Sequence, residues 1–300
     1  MPDHRPHRLF SFGTLRDPNV QARLFGGPVP MEPAALSGHA TRTILITDPE
    51  VVALSGLDRH LALERREGSS IDGVVLHLTD ADLAAADDYE VDDYVRRAVR
   101  LTSGASAWAY VDADPMRAAE RIVLLGDSIA YGRCDPAGGW AARLAAAHIA
   151  RDETRRRFFS LAVPGATLAE VAAEAPAVLP LRRPDTVLVA AGINDAAQGA
   201  LDGIAPALDL LAAAAAEADA RLVVIGPLWL DEPRAAELGW AGFTLAAARH
   251  LAEIQRDWCA AHDADFVDLF EALEDRPTLF ADGIHPTPEG HAILAQRLAG

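Results

Sequence analysis

Three short segments in the C-terminal two-thirds of the chain, Gly126-Asp127-Ser128, Gly192-Ile193-Asn194-Asp195 and Asp282-Gly283-Ile284-His285, hold the residue types that cleave an ester through a covalent intermediate. A serine hydroxyl at its own pKa is a poor nucleophile and needs a base to take its proton. His285 is the candidate base, and Asp282, one turn before it, is placed to orient the ring and stabilise the imidazolium. Each segment alone is weak evidence. Gly-Asp-Ser is a common turn, Asn194 could cap a helix, and Asp282-Gly283 could form a tight turn. Their joint order, each after an apolar run or beside the last helix, favours a single site.

The elements that must position these residues are regular. Ile122–Leu125, Phe158–Val163, Thr186–Ala190, Leu222–Ile225 and Asp265–Val267 are short apolar runs without alternation, as expected of parallel strands buried on both faces. Helical stretches separate them at Trp140–Ala150, Leu168–Val178, Ile204–Ala218 and Phe243–His262, and Pro288–Leu298 closes the chain. The alternation predicts an α/β fold, a three-layer α/β/α sandwich with a mainly parallel sheet over residues 121–300. Ligands of such sheets sit beyond the carboxyl ends of the strands, where Gly126, Gly165 and Gly192 all fall.

These motifs resemble those of the SGNH (GDSL-type) hydrolase superfamily, with a flavodoxin-like sheet. Gly126-Asp127-Ser128 matches the first block, Gly165 the second, Gly192–Asp195 the third and Asp282–Pro286 the last. The resemblance implies Ser128 as nucleophile, with an oxyanion hole from the backbone N–H groups of Ser128 and Gly165 and the side-chain amide of Asn194. Ser160 stands where the family often has Asn, which removes no catalytic part. No Gly-x-Ser-x-Gly elbow is present, which argues against the α/β-hydrolase arrangement. His291 reads as a structural residue on the final helix, and Trp229 and Trp240 flank a region expected beside the serine.

Residues 1–115 read differently, as strands with few helices, joined to the rest by a linker at 116–120. Arg8–Leu15, Gly73–Leu78, Val95–Leu101 and Ala107–Val111 suit strands, and Leu83–Tyr89 a short helix capped by Thr79 or Asp80. Phe12-Gly13-Thr14-Leu15, together with Asp87, Tyr89-Glu90 and Tyr94-Val95-Arg96, resembles the γ-glutamylcyclotransferase-like (AIG2-like) family. That family is a small mixed β-barrel that releases 5-oxoproline from γ-glutamyl amines. The resemblance implies Glu90 as the proton-transferring carboxylate, in a partly apolar pocket that raises its pKa. The backbone of Gly13–Leu15, with Phe12 beside it, would hold the substrate. Phe12 replaces the family's Tyr and Val91 its Gly.

Composition limits the remaining choices. The net charge of −17 argues against nucleic acid and anionic membrane surfaces. All 27 basic residues are arginine, so lysine-dependent phosphate loops and Schiff-base chemistry are excluded. No apolar run approaches the ~20 residues of a membrane span. Two distant cysteines, with no signal-peptide core after Met1, lead to the expectation of a cytoplasmic location. The histidines lack metal-ligand spacing, so neither metal nor organic cofactor is expected. The expected partners are small-molecule ester and γ-glutamyl substrates, and the sequence is silent on oligomeric state. The leading reading is a bifunctional enzyme. The alternative is a single-activity hydrolase or acyltransferase whose first domain is a non-catalytic ligand-binding module.

Overall fold

The computed structural model describes residues 4–45, 59–90 and 94–299. The chain divides into two compact units, Met1–Ala118 and Ala119–Gly300.

The first unit runs β1 (His7–Ser11), α1 (Pro18–Phe25), β2 (Met31–Leu45), β3 (Arg59–Leu78), α2 (Asp80–Tyr89), β4 (Tyr94–Arg100), β5 (Ser106–Asp112) and α3 (Pro115–Ala118). Its sheet order is β2-β3-β1-β5-β4, with β1 and β5 parallel and the other pairs antiparallel. The two outer strands approach each other. Leu36 bridges Leu101, and Thr102 N–H bonds Ala35 C=O at 2.9 Å, which curls the sheet toward closure. Alternation along β1 then separates two cores. Phe10 joins Leu36, Val75 and Val99 inside the curl, while Leu9 joins Leu76, Leu83 and Ala86 beneath the helices. Gly73 is required where β1 crosses β3, because a Cβ there would lie 2.5 Å from Ser11 O.

Parts of this unit lie beyond what the sequence reading named. Helix α1, β2 and most of β3 were not legible, since β2 is rich in Ala, Ser and Thr and β3 carries charge through Glu64–Glu67. The stretch read as a linker, 116–120, holds the boundary between the two units and begins within helix α3. Asp114 Oδ1 accepts Met116 N–H at 2.8 Å, and the buried Met116 side chain anchors the helix. Helix α2 begins at Thr79, whose hydroxyl accepts Asp82 N–H while Asp82 Oδ2 accepts Thr79 N–H, both at 3.1 Å.

The second unit runs β6 (Arg121–Gly126), α4 (Ser128–Tyr131), α5 (Gly139–Arg151), β7 (Arg157–Ser160), α6 (Leu168–Arg182), β8 (Thr186–Ala190), α7 (Ile193–Ala197), α8 (Ile204–Glu217), β9 (Arg221–Ile225), α9 (Glu232–Glu237), α10 (Leu245–Ala261), β10 (Ala264–Val267) and α11 (Pro288–Ala299). All five strands are parallel, in the order β10-β9-β8-β6-β7. One face buries Val123, Val187, Val189 and Val224 against α6, α8 and α10. Helices α5 and α11 pack together on the other side. The chain reverses direction across the sheet between β6 and β8, the switch point where doubly wound sheets bind ligands.

Candidate active site

Ser128 is positioned by the end of β6. Gly126 pairs with Ala190 of β8, and a Cβ on it would lie 2.5 Å from Ala130 Cβ and 2.8 Å from Ala190 O. Only glycine lets the strand end this close to β8 while α4 folds back. Asp127 caps α4 by accepting Ile129 N–H at 2.9 Å, and Ser128 begins the helix, buried.

His285 arrives on a hook before α11. Gly283 has φ +88, and a Cβ there would lie 2.5 Å from Ala235 N, so glycine is required twice over. Asp282 Oδ1 accepts the N–H groups of Ile284 and His285 at 3.1 and 2.9 Å. Its Oδ2 meets His285 Nδ1 at 2.8 Å, and His285 Nε2 meets Ser128 Oγ at 2.8 Å. Two short hydrogen bonds therefore link hydroxyl, imidazole and carboxylate in one line. Burial pushes the His285 pKa down and Arg133 adds to this, while Asp282 opposes it. The ring is thus held neutral, the form that accepts a proton. Burial works against charge on Asp282, but the N–H groups and imidazole of His285 outweigh it and keep its carboxyl below the ordinary value.

The other predicted residues gather at the same sheet edge. Leu161 and Val163 N–H groups bond Leu124 and Gly126 C=O at 2.8 and 2.9 Å, which lashes the loop before Gly165 to β6. Gly165 has φ +87. Asn194 Nδ2 donates to Ala166 O at 2.9 Å, and Asp195 Oδ2 accepts Leu168 N–H at 2.8 Å. Asn194 thus grips the Gly165 loop with one amide proton and keeps a second. Among the described residues, the N–H groups of Ser128 and Gly165 donate to no protein acceptor. An apolar cleft beside Asp127 and Ile129 is lined by Ile193, Ile225, Pro227 and Leu228. Trp229 packs buried against Phe280 and Trp240 is partly exposed. His291 is fully buried, accepting Trp140 N–H at 3.3 Å and donating to Arg133 O at 3.1 Å, which fits a structural role.

Asp127 carries a property the motif does not reveal. Burial pushes its carboxyl up to about 7, against the N–H groups of Ile129 and Ala130, and Asp195 raises it further. Between the ordinary 3.8 and about 7 the folded state holds a proton that the unfolded chain has released. Stability therefore falls as pH rises through that window. Asp127→Asn keeps an acceptor for Ile129 N–H without the buried charge. Its melting-temperature gain over the parent is expected to be larger at pH 8 than at pH 5; a gain independent of pH would contradict the assignment.

The first unit assembles its own cluster. The β1–β5 register pairs Leu9 with Trp108, so the end of β1 and the Phe12–Leu15 turn emerge beside Tyr110. Tyr110 OH donates to Asp87 Oδ1 at 2.8 Å, and Arg96 Nη2 lies 3.4 Å from Asp87 Oδ2. The Arg96 guanidinium stacks 5.0 Å above the Trp108 ring. Burial raises the Tyr110 hydroxyl, and its bond to Asp87 and the charge of Glu90 add to this, which keeps the phenol neutral. Glu90 ends α2, and burial alone pushes its carboxyl up to about 7. Phe12 is half-buried against the inner core, Gly13 and Thr14 are exposed, and Leu15 is buried in the outer core. Leu15 can therefore offer a ligand only its backbone. Gly13 N–H bonds Ser11 Oγ at 3.3 Å, whereas those of Thr14 and Leu15 meet no protein acceptor among the described residues. Val91 lies outside the described residues. Tyr110 was missed because it sits in an ordinary-looking strand, and only the fold brings it to Asp87.

The model of the GDSL-like lipase/acylhydrolase family matches residues 124–293, and that of the AIG2-like gamma-glutamyl cyclotransferases matches residues 9–128. No curated protein matches the chain. A lipase/acylhydrolase from Enterococcus faecalis superposes with a TM-score of 0.51 at 22% identity, covering 60% of this chain and 93% of that one. TesA superposes with a TM-score of 0.49 at 23% identity, over 59% and 94% of the two chains. A catalytic mutant of Axe2, an acetylxylan esterase from Geobacillus stearothermophilus, gives 0.49 at 20% identity, over 59% and 91%. With more than half of its length matched by one family model, the chain belongs to the GDSL-like lipase/acylhydrolase family, and an AIG2-like gamma-glutamyl cyclotransferase domain precedes that region.

Proposed function

We propose that the second unit is a serine esterase working through a covalent acyl-enzyme. Ser128 Oγ attacks the ester carbonyl as His285 Nε2 takes its proton, and Asp282 stabilises the imidazolium. His285 then gives the proton to the leaving alcohol. Water, activated by the same ring, releases the acid. The N–H groups of Ser128 and Gly165 and the free amide proton of Asn194 are the donors for the oxyanion. The observation that carries this reading is the Ser128–His285–Asp282 line of two 2.8 Å hydrogen bonds. Cleavage of p-nitrophenyl acetate by the purified chain, lost in the Ser128 variant, tests it.

Asn194→Ala should lower kcat by ~10²–10³ with little change in KM, because the amide acts on charge that exists only in the transition state. A purely KM effect would assign Asn194 to ground-state binding instead. Steady-state kinetics on the same ester separate the two.

For the first unit we propose cyclisation of γ-glutamyl amines. The substrate α-amine attacks its own γ-carbonyl, the C–N bond to the amine breaks, and 5-oxoproline and free amine leave. The nucleophile is already tethered, so the protein orients it and moves protons. Glu90 takes a proton from the α-ammonium and returns it to the departing amine. Its carboxyl, held near neutrality by burial, supports this role.

A further inference from the structure

The loop after α4 places a thiol against the Ser128–His285–Asp282 line. Gly132 ends α4 at φ +88, where a Cβ would lie 2.4 Å from the Gly138 backbone. Arg133 N–H bonds Ser128 O at 3.0 Å, and Arg133 O accepts from the buried His291 ring at 3.1 Å. Asp135 N–H bonds Gly132 O at 3.1 Å, and the Asp135 carboxylate is clamped by Arg143. Between these anchors Cys134 is held at φ +70, a conformation that is costly for a residue with a side chain. The backbone on both sides thus fixes where this exposed thiol stands. Cys134 Sγ, a carboxylate oxygen of Asp282 and a ring nitrogen of His285 all lie within 4.8 Å of one another.

We propose that Cys134, Asp282 and His285 form an inhibitory site for a zinc-class divalent cation. Thiolate, imidazole and carboxylate together suit Zn²⁺, whereas Mg²⁺ and Ca²⁺ prefer all-oxygen sites. Tetrahedral zinc bonds of these types place neighbouring ligand atoms roughly 3.5 Å apart, so a modest rotation of the Cys134 side chain closes the set. On binding, the thiol proton leaves to solvent and the sulfur, the ring nitrogen and the carboxylate oxygen each donate a lone pair. No redox change occurs. Whichever ring nitrogen is taken, proton transfer stops: Nε2 is the partner of the Ser128 hydroxyl and Nδ1 is the one Asp282 holds.

The metal site stands on geometry, while its inhibitory effect rests on the proposed esterase activity, and two readouts keep these apart. Metal-stripped full-length chain is titrated with Co²⁺, and thiolate-to-cobalt charge-transfer absorption is recorded; no turnover is needed. Cleavage of p-nitrophenyl acetate is then followed against Zn²⁺, each variant relative to its own metal-free rate. The variants are Cys134→Ser and Cys134→Asn, the second chosen because Asn tolerates a left-handed backbone. Cys259, the other cysteine, is buried in α10 and serves as the internal control. The band is expected in the parent chain and absent in both variants. Zinc inhibition should weaken at least ~10-fold in each, the lower bound seen even for groups that only support a ligand. A parent chain without the band, a band that survives both substitutions, or zinc inhibition unchanged in the variants would each overturn the site. A band without inhibition would overturn its inhibitory role.

Discussion

Ser128→Ala is expected to cut ester hydrolysis by ~10⁴-fold or more, because the covalent route disappears and only oxyanion binding and substrate orientation remain. His285→Ala should fall by a comparable amount. The double variant should be no worse than either single one, since hydroxyl and imidazole act as a unit across their 2.8 Å hydrogen bond. Additive losses would mean that the two residues work independently. The pH profile supplies a second check. His285 must be neutral to accept the proton, and burial, aided by Arg133, holds its pKa below the ordinary 6.5. The acid limb of kcat/KM is therefore expected below pH 6.5, and activity should persist into mildly acidic solution. A limb above that value would mean that Asp282 dominates over burial.

Much of the second unit was legible because its signals are local. Continuous apolar runs between helical stretches mark buried parallel strands, and the hook Asp282–His285 packs the proposed orienter and base into four residues. Gly126 and Gly283 could be read as turn residues, but the reason for them could not. The atoms that exclude a Cβ, Ala190 O and Ala235 N, come from distant parts of the chain. The same limit hid Cys134. Nothing in Gly132–Pro136 marks a thiol for attention; its neighbours Asp282 and His285 are set by the way α11 packs on α5. Asn194 was readable as a donor, yet its grip on Ala166 O, which ties the donor to the Gly165 loop, belongs to tertiary structure.

In the first unit the balance shifts. Strands β2 and β3 are long because they pair with each other from Met31 opposite Leu76 to Leu45 opposite Arg59, not because either has strong intrinsic β preference. A bulge at Ser37 and His39 breaks the alternation that sequence reading depends on. The motif around Glu90 was legible only by resemblance. An acidic run such as Asp87-Asp88-Tyr89-Glu90 otherwise reads as solvated surface. What distinguishes Glu90 physically is burial, which pushes its carboxyl up to about 7.

Glu90→Gln is expected to lower 5-oxoproline release from a γ-glutamyl amine by ~10²–10⁴-fold, the usual worth of a positioned proton-transfer group. Glutamine keeps the length and the acceptor oxygen but cannot take the proton. Because the carboxylate form is needed to deprotonate the α-ammonium, the rate of the parent chain should rise with pH through about 7, and this limb should vanish in the variant. Folding gives an independent readout. A carboxyl whose folded pKa lies above its ordinary 4.5 stabilises the fold below that value and loses the contribution as pH rises through about 7. Glu90→Gln should therefore melt higher than the parent at pH 8 while losing turnover, a combination that unfolding cannot produce. Ester cleavage, which uses residues of the other unit, serves as the internal control. Unchanged 5-oxoproline release in the variant would remove Glu90 from the chemistry. A parent chain that binds γ-glutamyl amines but never releases 5-oxoproline would make the first unit a ligand-binding module. In that case the neutral carboxyl of Glu90 would act as a hydrogen-bond donor to the ligand, and binding should weaken as pH rises through about 7.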